Sequence, residues 1–184
     1  LATEFLMADG NVSTTSLEVN STDKTVWNNG KGNVLTNTSF GDEALKTNTT
    51  GFANTGLGYQ ALKDNTTGKY NAGFGSHSLA FNTIGEYNTS IGSYSMQSNT
   101  NGNFNTSVGQ GAMYVNTTGS QNTAVGQSSM NLNVSGNFNT AIGLSALENN
   151  TIGNRNIAIG SSAGMYAGNA YVDNQSGVSN IYIG

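Results

Sequence analysis

A 17-residue repeat constrains this sequence more than any other feature. Aligned on an apolar residue followed by Gly, the chain places its glycines at a constant interval of 17: Gly41, Gly58, Gly75, Gly92, Gly109, Gly126, Gly143 and Gly160. Seven uninterrupted units, numbered here as coils 1 to 7, run from Asn37 to Arg155, and an eighth begins at Asn156. Such a period is typical of repeat proteins in which each unit contacts only its neighbours.

Two positions of the repeat are occupied by Asn throughout. Position 12 is Asn in all seven complete units, and position 1 is Asn in all eight: Asn37, Asn54, Asn71, Asn88, Asn105, Asn122, Asn139 and Asn156. If coils stack, equal positions lie above one another at about 4.8 Å, the spacing of paired strands. The sequence therefore predicts amide ladders, in which each Asn side chain bonds to its equivalent in the next coil.

Apolar residues occupy two further columns. Position 9 is Leu or Met in every complete unit, and position 4 carries Phe40, Leu57, Phe74, Ile91, Val108, Val125, Ile142 and Ile159. We expect both columns to form the core, with the Ala or Ser of position 8 allowing the walls to approach closely. We expect the Gly at positions 5 and 15 to form corners between two short strands per coil, because Gly adopts positive φ easily.

These columns predict an all-β fold, a parallel β-solenoid of 17-residue coils. Helices are disfavoured because Gly, Asn and Thr recur in every unit and no 3.6-residue apolar stripe persists. We divide the chain into an N-terminal cap or adaptor (1–36), the repeat array (37–163), and a loop with a terminal rung (164–184). In the last segment, Asn180 to Gly184 repeat the first five positions of a unit, 24 residues after Asn156.

The composition excludes several classes of function. Only 9% of residues are charged and the net charge is −4, so we expect no nucleic-acid partner. We expect no membrane insertion within this chain, because it lacks an apolar run of spanning length. There is no Cys, the single His77 lacks triad partners, and the carboxylates form no recurring pair. We therefore predict no enzymatic activity, no cofactor and no metal.

Aromatic residues at variable positions are the candidates for binding. They are expected on the outside, where rings stack on sugars or anchor protein partners. The candidates are Tyr59, Tyr94 and Tyr114 in the array, and Tyr166 and Tyr171 near the distal loop. Asn-x-Thr tripeptides such as that at Asn48 are explained by the ladder and are not interpreted as glycosylation sites.

The blocks NTAVGQSSM, NTAIGLSAL and NTSIGSYSM resemble the head repeats of trimeric autotransporter adhesins and similar repeats in bacteriophage and viral tail fibres. The resemblance covers Asn37 to Gly160. It implies a left-handed parallel β-roll in which three chains pack side by side as a homotrimer. It also implies that Ala141, Ile142 and Gly143 lie on an inner strand.

The leading functional hypothesis is a structural or adhesive fibre segment, extracellular, on a cell surface or on a virion, that attaches to a glycan or protein receptor. The main alternative is a subunit of an extracellular filament that stacks end to end. The Thr column at position 2 leaves an ice-binding solenoid as a third alternative. A polysaccharide-cleaving β-helix enzyme lacks the necessary acids.

Overall fold

Each repeat contributes one three-residue strand to a single sheet. The computed structural model describes residues 27–28, 36–165 and 178–184. In chain order the strands are β1 (Trp27–Asn28), β2 (Thr38–Phe40), β3 (Thr55–Leu57), β4 (Ala72–Phe74), β5 (Thr89–Ile91), β6 (Thr106–Val108), β7 (Thr123–Val125), β8 (Thr140–Ile142), β9 (Ile157–Ile159) and β10 (Ile181–Ile183).

The sheet follows the chain, and the ten strands lie in the order of the sequence. From β2 to β9 every pair is parallel and joins equal positions of adjacent units, as in Thr106 with Thr123 and Val108 with Val125. β10 pairs in parallel with β9, placing Ile181 beside Ile157, while β1 pairs antiparallel with β2. The prediction of a parallel β-solenoid with 17-residue coils is confirmed.

The expectation of two strands per coil is wrong. Strands occupy only positions 2 to 4, and the described remainder of each coil consists of turns. Those turns still bond from coil to coil: Leu62 N donates to Ser78 O at 2.9 Å, and Thr66 N donates to Thr83 O at 2.9 Å. Backbone groups outside the sheet are thereby paired, as buried peptide groups require.

Position 9 forms the core. Its side chains have no solvent exposure in any complete coil: Leu45, Leu62, Leu79, Met96, Met113, Met130 and Leu147. The small residues of position 8, such as Ala112 and Ala146, are also buried, as the sequence predicts. Small residues of position 3, including Ala124, Ala141 and Ala158, face the core from the strand.

The placement of position 4 in the core is wrong. Side chains alternate along a strand, so an inward position 3 turns positions 2 and 4 outward. Five position-4 residues are 36–45% exposed, and the other three are partly exposed; the column comprises Phe40, Leu57, Phe74, Ile91, Val108, Val125, Ile142 and Ile159. Ala141 thus faces the interior as the family resemblance implies, whereas Ile142 does not.

Both Asn columns form ladders. At position 1, the backbone N–H of Asn122 donates to Asn105 Oδ1 in the preceding coil at 3.0 Å, and Asn122 Nδ2 donates to the Gly136 carbonyl at 2.8 Å. The same pattern joins Asn37 to Asn54 and continues to Asn156 and Asn180. At position 12, Nδ2 of each Asn from Asn65 to Asn150 donates to Oδ1 of its equivalent one coil earlier. Among the described residues, no buried side-chain polar atom lacks a hydrogen-bond partner.

The two glycine columns serve different purposes. Gly at position 5 has φ near +130°, as at Gly92 and Gly109, which fits the predicted corner. Gly at position 15 has no positive φ and is required by space: a Cβ on Gly119 would collide with Asn116 Oδ1 and with the Gly136 carbonyl. The positive-φ explanation for position 15 is therefore wrong, and close packing of the turn onto the Asn ladder replaces it.

Candidate interaction surfaces

The outward face of the sheet, called the sheet face here, is formed by positions 2 and 4. Position 2 supplies a column of Thr side chains that are exposed at Thr38 and partly exposed in the later coils, interrupted by Ala72 and Ile157. Position 4 supplies the apolar column beside it, with Ile91 43% and Ile142 41% exposed. Strand pairing fixes both columns in register, so the sheet face is a regular strip of hydroxyl and apolar groups along the array.

An aromatic column borders the strands at position 17. Tyr70 and Tyr87 stack with ring centroids 4.7 Å apart, and Tyr87 and Phe104 stack at 4.9 Å. Phe52 contacts Tyr70 edge-on at one end of this column. Of these rings, only Tyr87 is stacked on both sides, and Phe104 at the other end of the column is 56% exposed. Farther along, Phe138 lies beside the Arg155 guanidinium at 5.5 Å.

A second aromatic group, the turn aromatics, lies in the turns after the strands. It consists of Tyr59, His77, Tyr94 and Tyr114. Tyr59 meets His77 edge-on, His77 stacks on Tyr94 with centroids 4.8 Å apart, and Tyr94 lies 6.5 Å from Tyr114. The three tyrosines are 37–47% exposed, which confirms their predicted outward placement. The other two sequence candidates, Tyr166 and Tyr171, lie outside the described residues.

Within coils 1 to 7, the charged residues are concentrated in the first three coils. Lys46 Nζ donates to Glu43 Oε1, Gln60 Nε2 donates to Glu43 Oε2 at 2.8 Å, and Lys63 Nζ lies 3.4 Å from the same oxygen. The hydrogen bonds from Lys46 and then Gln60 lower the pKa of Glu43 to about 2. From Asn88 to Leu147 the sequence contains no charged residue. Most of the array is therefore electrostatically neutral.

The described residues contain no group of His, Asp and Glu arranged to hold a metal ion. His77 Nδ1 lies 2.9 Å from Ser76 Oγ, its sequence neighbour. The Asn of the tripeptides at Asn48 and Asn65 have no exposure, because their amides belong to the position-12 ladder. These Asn side chains are inaccessible to a modifying enzyme in the folded array.

Sequence reasoning missed a third polar ladder, at position 16. Asn103 N donates to Ser120 Oγ at 3.0 Å, Ser120 N to Asn137 Oδ1 at 2.9 Å, and Asn137 N to Asn154 Oδ1 at 2.9 Å. The donors lie in the earlier coil, the reverse of position 1. Recurrence of Asn at position 16 in coils 4, 6 and 7 is the signal that would have revealed it.

Within residues 27–28, 36–165 and 178–184, no helical segment has the length and hydrophobicity that crossing a bilayer requires. Comparisons of the chain with protein-family models, with curated proteins and with solved structures give no significant match.

Proposed function

We propose that this chain is a structural and adhesive segment of an extracellular or virion fibre, assembled as a homotrimer through the sheet face and attached to a receptor on a cell surface. The observation that carries the proposal is the exposed apolar column at position 4. A contiguous apolar strip of this kind, bordered by polar residues, is typical of interaction surfaces on soluble proteins.

The spacing of the apolar groups in the strip is the same as that in a second copy of the chain. Its apolar groups recur at every coil, so another array with the same rise places an apolar group opposite each of them. Because coils 4 to 7 carry no charge up to Leu147, association along these coils buries no unpaired charge there. Lateral association also increases the apolar area buried per residue, which is small in a single thin solenoid.

The rigidity of the array supports a fibre role. Every coil is joined to the next by sheet hydrogen bonds and by Asn ladders, and the core continues through all complete coils. Such a rod holds its surface groups at fixed intervals, which favours presentation to a receptor and simultaneous binding at several points. The same architecture is compatible with a filament subunit, which remains the main alternative.

Ice binding is a further candidate for the sheet face. Its Thr and apolar columns are regular, but position 2 is Ala72 in coil 3 and Ile157 in coil 8. Self-association would cover the face, so the two functions make opposite predictions about the oligomeric state. A monomer that produces thermal hysteresis would favour ice binding over the fibre.

The test is sedimentation equilibrium of the full chain beside two variants. Ile142→Asp places a charge on the sheet face, and Leu144→Asp places one two residues away in the turn, where Leu144 is 51% exposed. We expect the parent and Leu144→Asp to form trimers and Ile142→Asp to remain a folded monomer with an unchanged circular dichroism spectrum. A monomeric parent protein would contradict lateral assembly, and indefinite polymers would favour the filament.

Attachment is tested separately by flow cytometry of fluorescent protein on panels of bacterial and eukaryotic cells. We expect saturable binding that unlabelled protein displaces. Absence of saturable binding to every cell type would contradict the adhesive role, and the oligomeric measurement would stand independently.

A further inference from the structure

The turn aromatics contain a gap one coil high. At position 7, His77 and Tyr94 stack in coils 3 and 4, and the next residue in this column is Gly111. The backbone does not require glycine there: Gly111 has φ +62°, close to +58° at His77 and +59° at Tyr94. A Cβ on Gly111 would meet only Asn131 Nδ2, at 3.5 Å. The missing side chain therefore leaves the coil-5 side of the Tyr94 ring without a stacked neighbour.

The surroundings of the gap combine aromatic and neutral polar groups. The Tyr94 ring faces it from coil 4, and the Tyr114 ring lies at 61° to Tyr94 with centroids 6.5 Å apart. Asn131 Nδ2 donates to the Gly111 carbonyl at 2.8 Å, which holds an amide group at the rim. Ser128 occupies position 7 of the following coil, and the exposed Gln110 precedes Gly111.

These groups define the chemistry of the ligand. An aromatic face carries the negative part of its quadrupole and attracts the polarised C–H groups on the apolar face of a sugar ring. Amide and hydroxyl groups at the rim pair with sugar hydroxyls, as in other small-molecule sites with few polar contacts. A ring that takes the place of the missing coil-5 side chain lies about 4.8 Å, one strand spacing, from the Tyr94 ring. The gap therefore accommodates a single stacked ring. The absence of charged residues from Asn88 to Leu147 leaves an anionic ligand without a counter-charge.

We propose that the gap at Gly111 binds a neutral hexopyranose of a glycan, stacked on Tyr94. The proposal rests on the attachment function and identifies the receptor chemistry. Gly111 and Tyr114 lie between β6 and β7, in the turn segment. The proposed self-association uses strand positions instead.

Two variants isolate the gap. Gly111→Tyr fills it with the protein's own ring, in a backbone conformation that Tyr94 already adopts one coil earlier. Ser145→Tyr makes the matched change at the same repeat position two coils farther on, where φ is +53°. Both variants therefore introduce the same side chain at positive φ, and only the first covers the face of Tyr94.

The measurement is an NMR titration of the full chain with methyl β-galactoside, β-glucoside and α-mannoside, with a sialoside as the anionic comparison. We expect at least one neutral glycoside to shift the Tyr94, Tyr114 and Asn131 side-chain signals, with a Kd of about 1 mM. Gly111→Tyr should weaken binding at least tenfold, and Ser145→Tyr should leave it unchanged. No shift with any neutral glycoside, preference for the sialoside, or equal binding by Gly111→Tyr would overturn the proposal.

The two proposals fail in different ways. If the parent protein binds no glycoside and Gly111→Tyr still binds cells, the sugar site is refuted and the proposed fibre function is retained. If the protein binds a glycoside but shows no saturable binding to cells, the attachment function is refuted and the sugar site is retained.

Discussion

The side-chain amide of Asn133 donates to Asn116 Oδ1, one coil earlier, at 2.8 Å, and neither residue is exposed beyond 1%. Asn116 Nδ2 in turn donates to Asn99 Oδ1 at 2.7 Å and to the Gly119 carbonyl at 3.1 Å. Each amide therefore needs both its donor and its acceptor, and only Asn has this geometry at this length.

Asn116→Asp should destabilise the array by about 3–5 kcal/mol, because it buries an unpaired carboxylate against two acceptors. Asn101→Asp, at an exposed turn position, is the matched control and should change stability by less than about 0.5 kcal/mol. Denaturant midpoints and hydrogen exchange of the two variants provide the comparison. Equal midpoints would show that the position-12 ladder does not stabilise the fold.

Leu57 and Leu62 belong to the same coil and differ completely in environment, 40% and 0% exposed respectively. Leu62→Ala should cost about 2–5 kcal/mol through lost burial and a cavity in the continuous core. Leu57→Ala should leave the stability of the monomer within about 0.5 kcal/mol and weaken only self-association. Thermal melts at low protein concentration test this. Destabilisation of the monomer by Leu57→Ala comparable to that by Leu62→Ala would indicate that position 4 is part of the core.

Deletion of one whole unit tests the coil register. Removing Asn105 to Gln121 should shorten the rod by about 4.8 Å and preserve the fold, because coils 4 and 6 then meet with equal positions paired. Removing only Asn105 to Ala112 should place Asn ladder residues opposite apolar ones and cause early melting or aggregation. Circular dichroism and small-angle scattering distinguish the outcomes; similar damage from both deletions would contradict one repeat per coil.

Glu43 makes part of the stability of coils 1 and 2 depend on pH. Its folded pKa of about 2 lies below the usual 4.5, so its contribution is present above about pH 5 and is lost as pH falls towards 2. The melting temperature of Glu43→Gln should lie slightly below that of the parent at neutral pH, and the difference should vanish near pH 2. A difference independent of pH would assign the effect of the substitution to packing.

The repeat period accounts for most of what the sequence predicts correctly. A column of Asn or of Leu and Met identifies a buried position because equal positions stack, and this reasoning found Asn116, Asn122 and Met113 without coordinates. It failed at Ile142 because side chains alternate along a strand, so the apolar column at position 4 lies on the outward face. Position 3 is always a small residue, as at Ala141, and this was the signal that position 3, and not position 4, faces the core.

Comparison of equal repeat positions could not predict the gap at Gly111. Consensus averages over coils, and the gap exists because one coil departs from its neighbours at one position. The positions of Tyr94, Tyr114 and Asn131 in the structure are needed to show that the missing side chain at Gly111 leaves a gap between them.

The neutrality of Asn88 to Leu147 has a kinetic consequence for any encounter with this part of the rod. Charged surfaces gain orders of magnitude in association rate from long-range attraction, and lose it as salt is added. Coils 4 to 6 and the first nine residues of coil 7 carry no charge that could supply such attraction. Above about 0.1 M salt, where the charges of the flanking coils are screened, the association rate there should be about 10⁵–10⁶ M⁻¹s⁻¹, as for a neutral surface, and should change little as more salt is added.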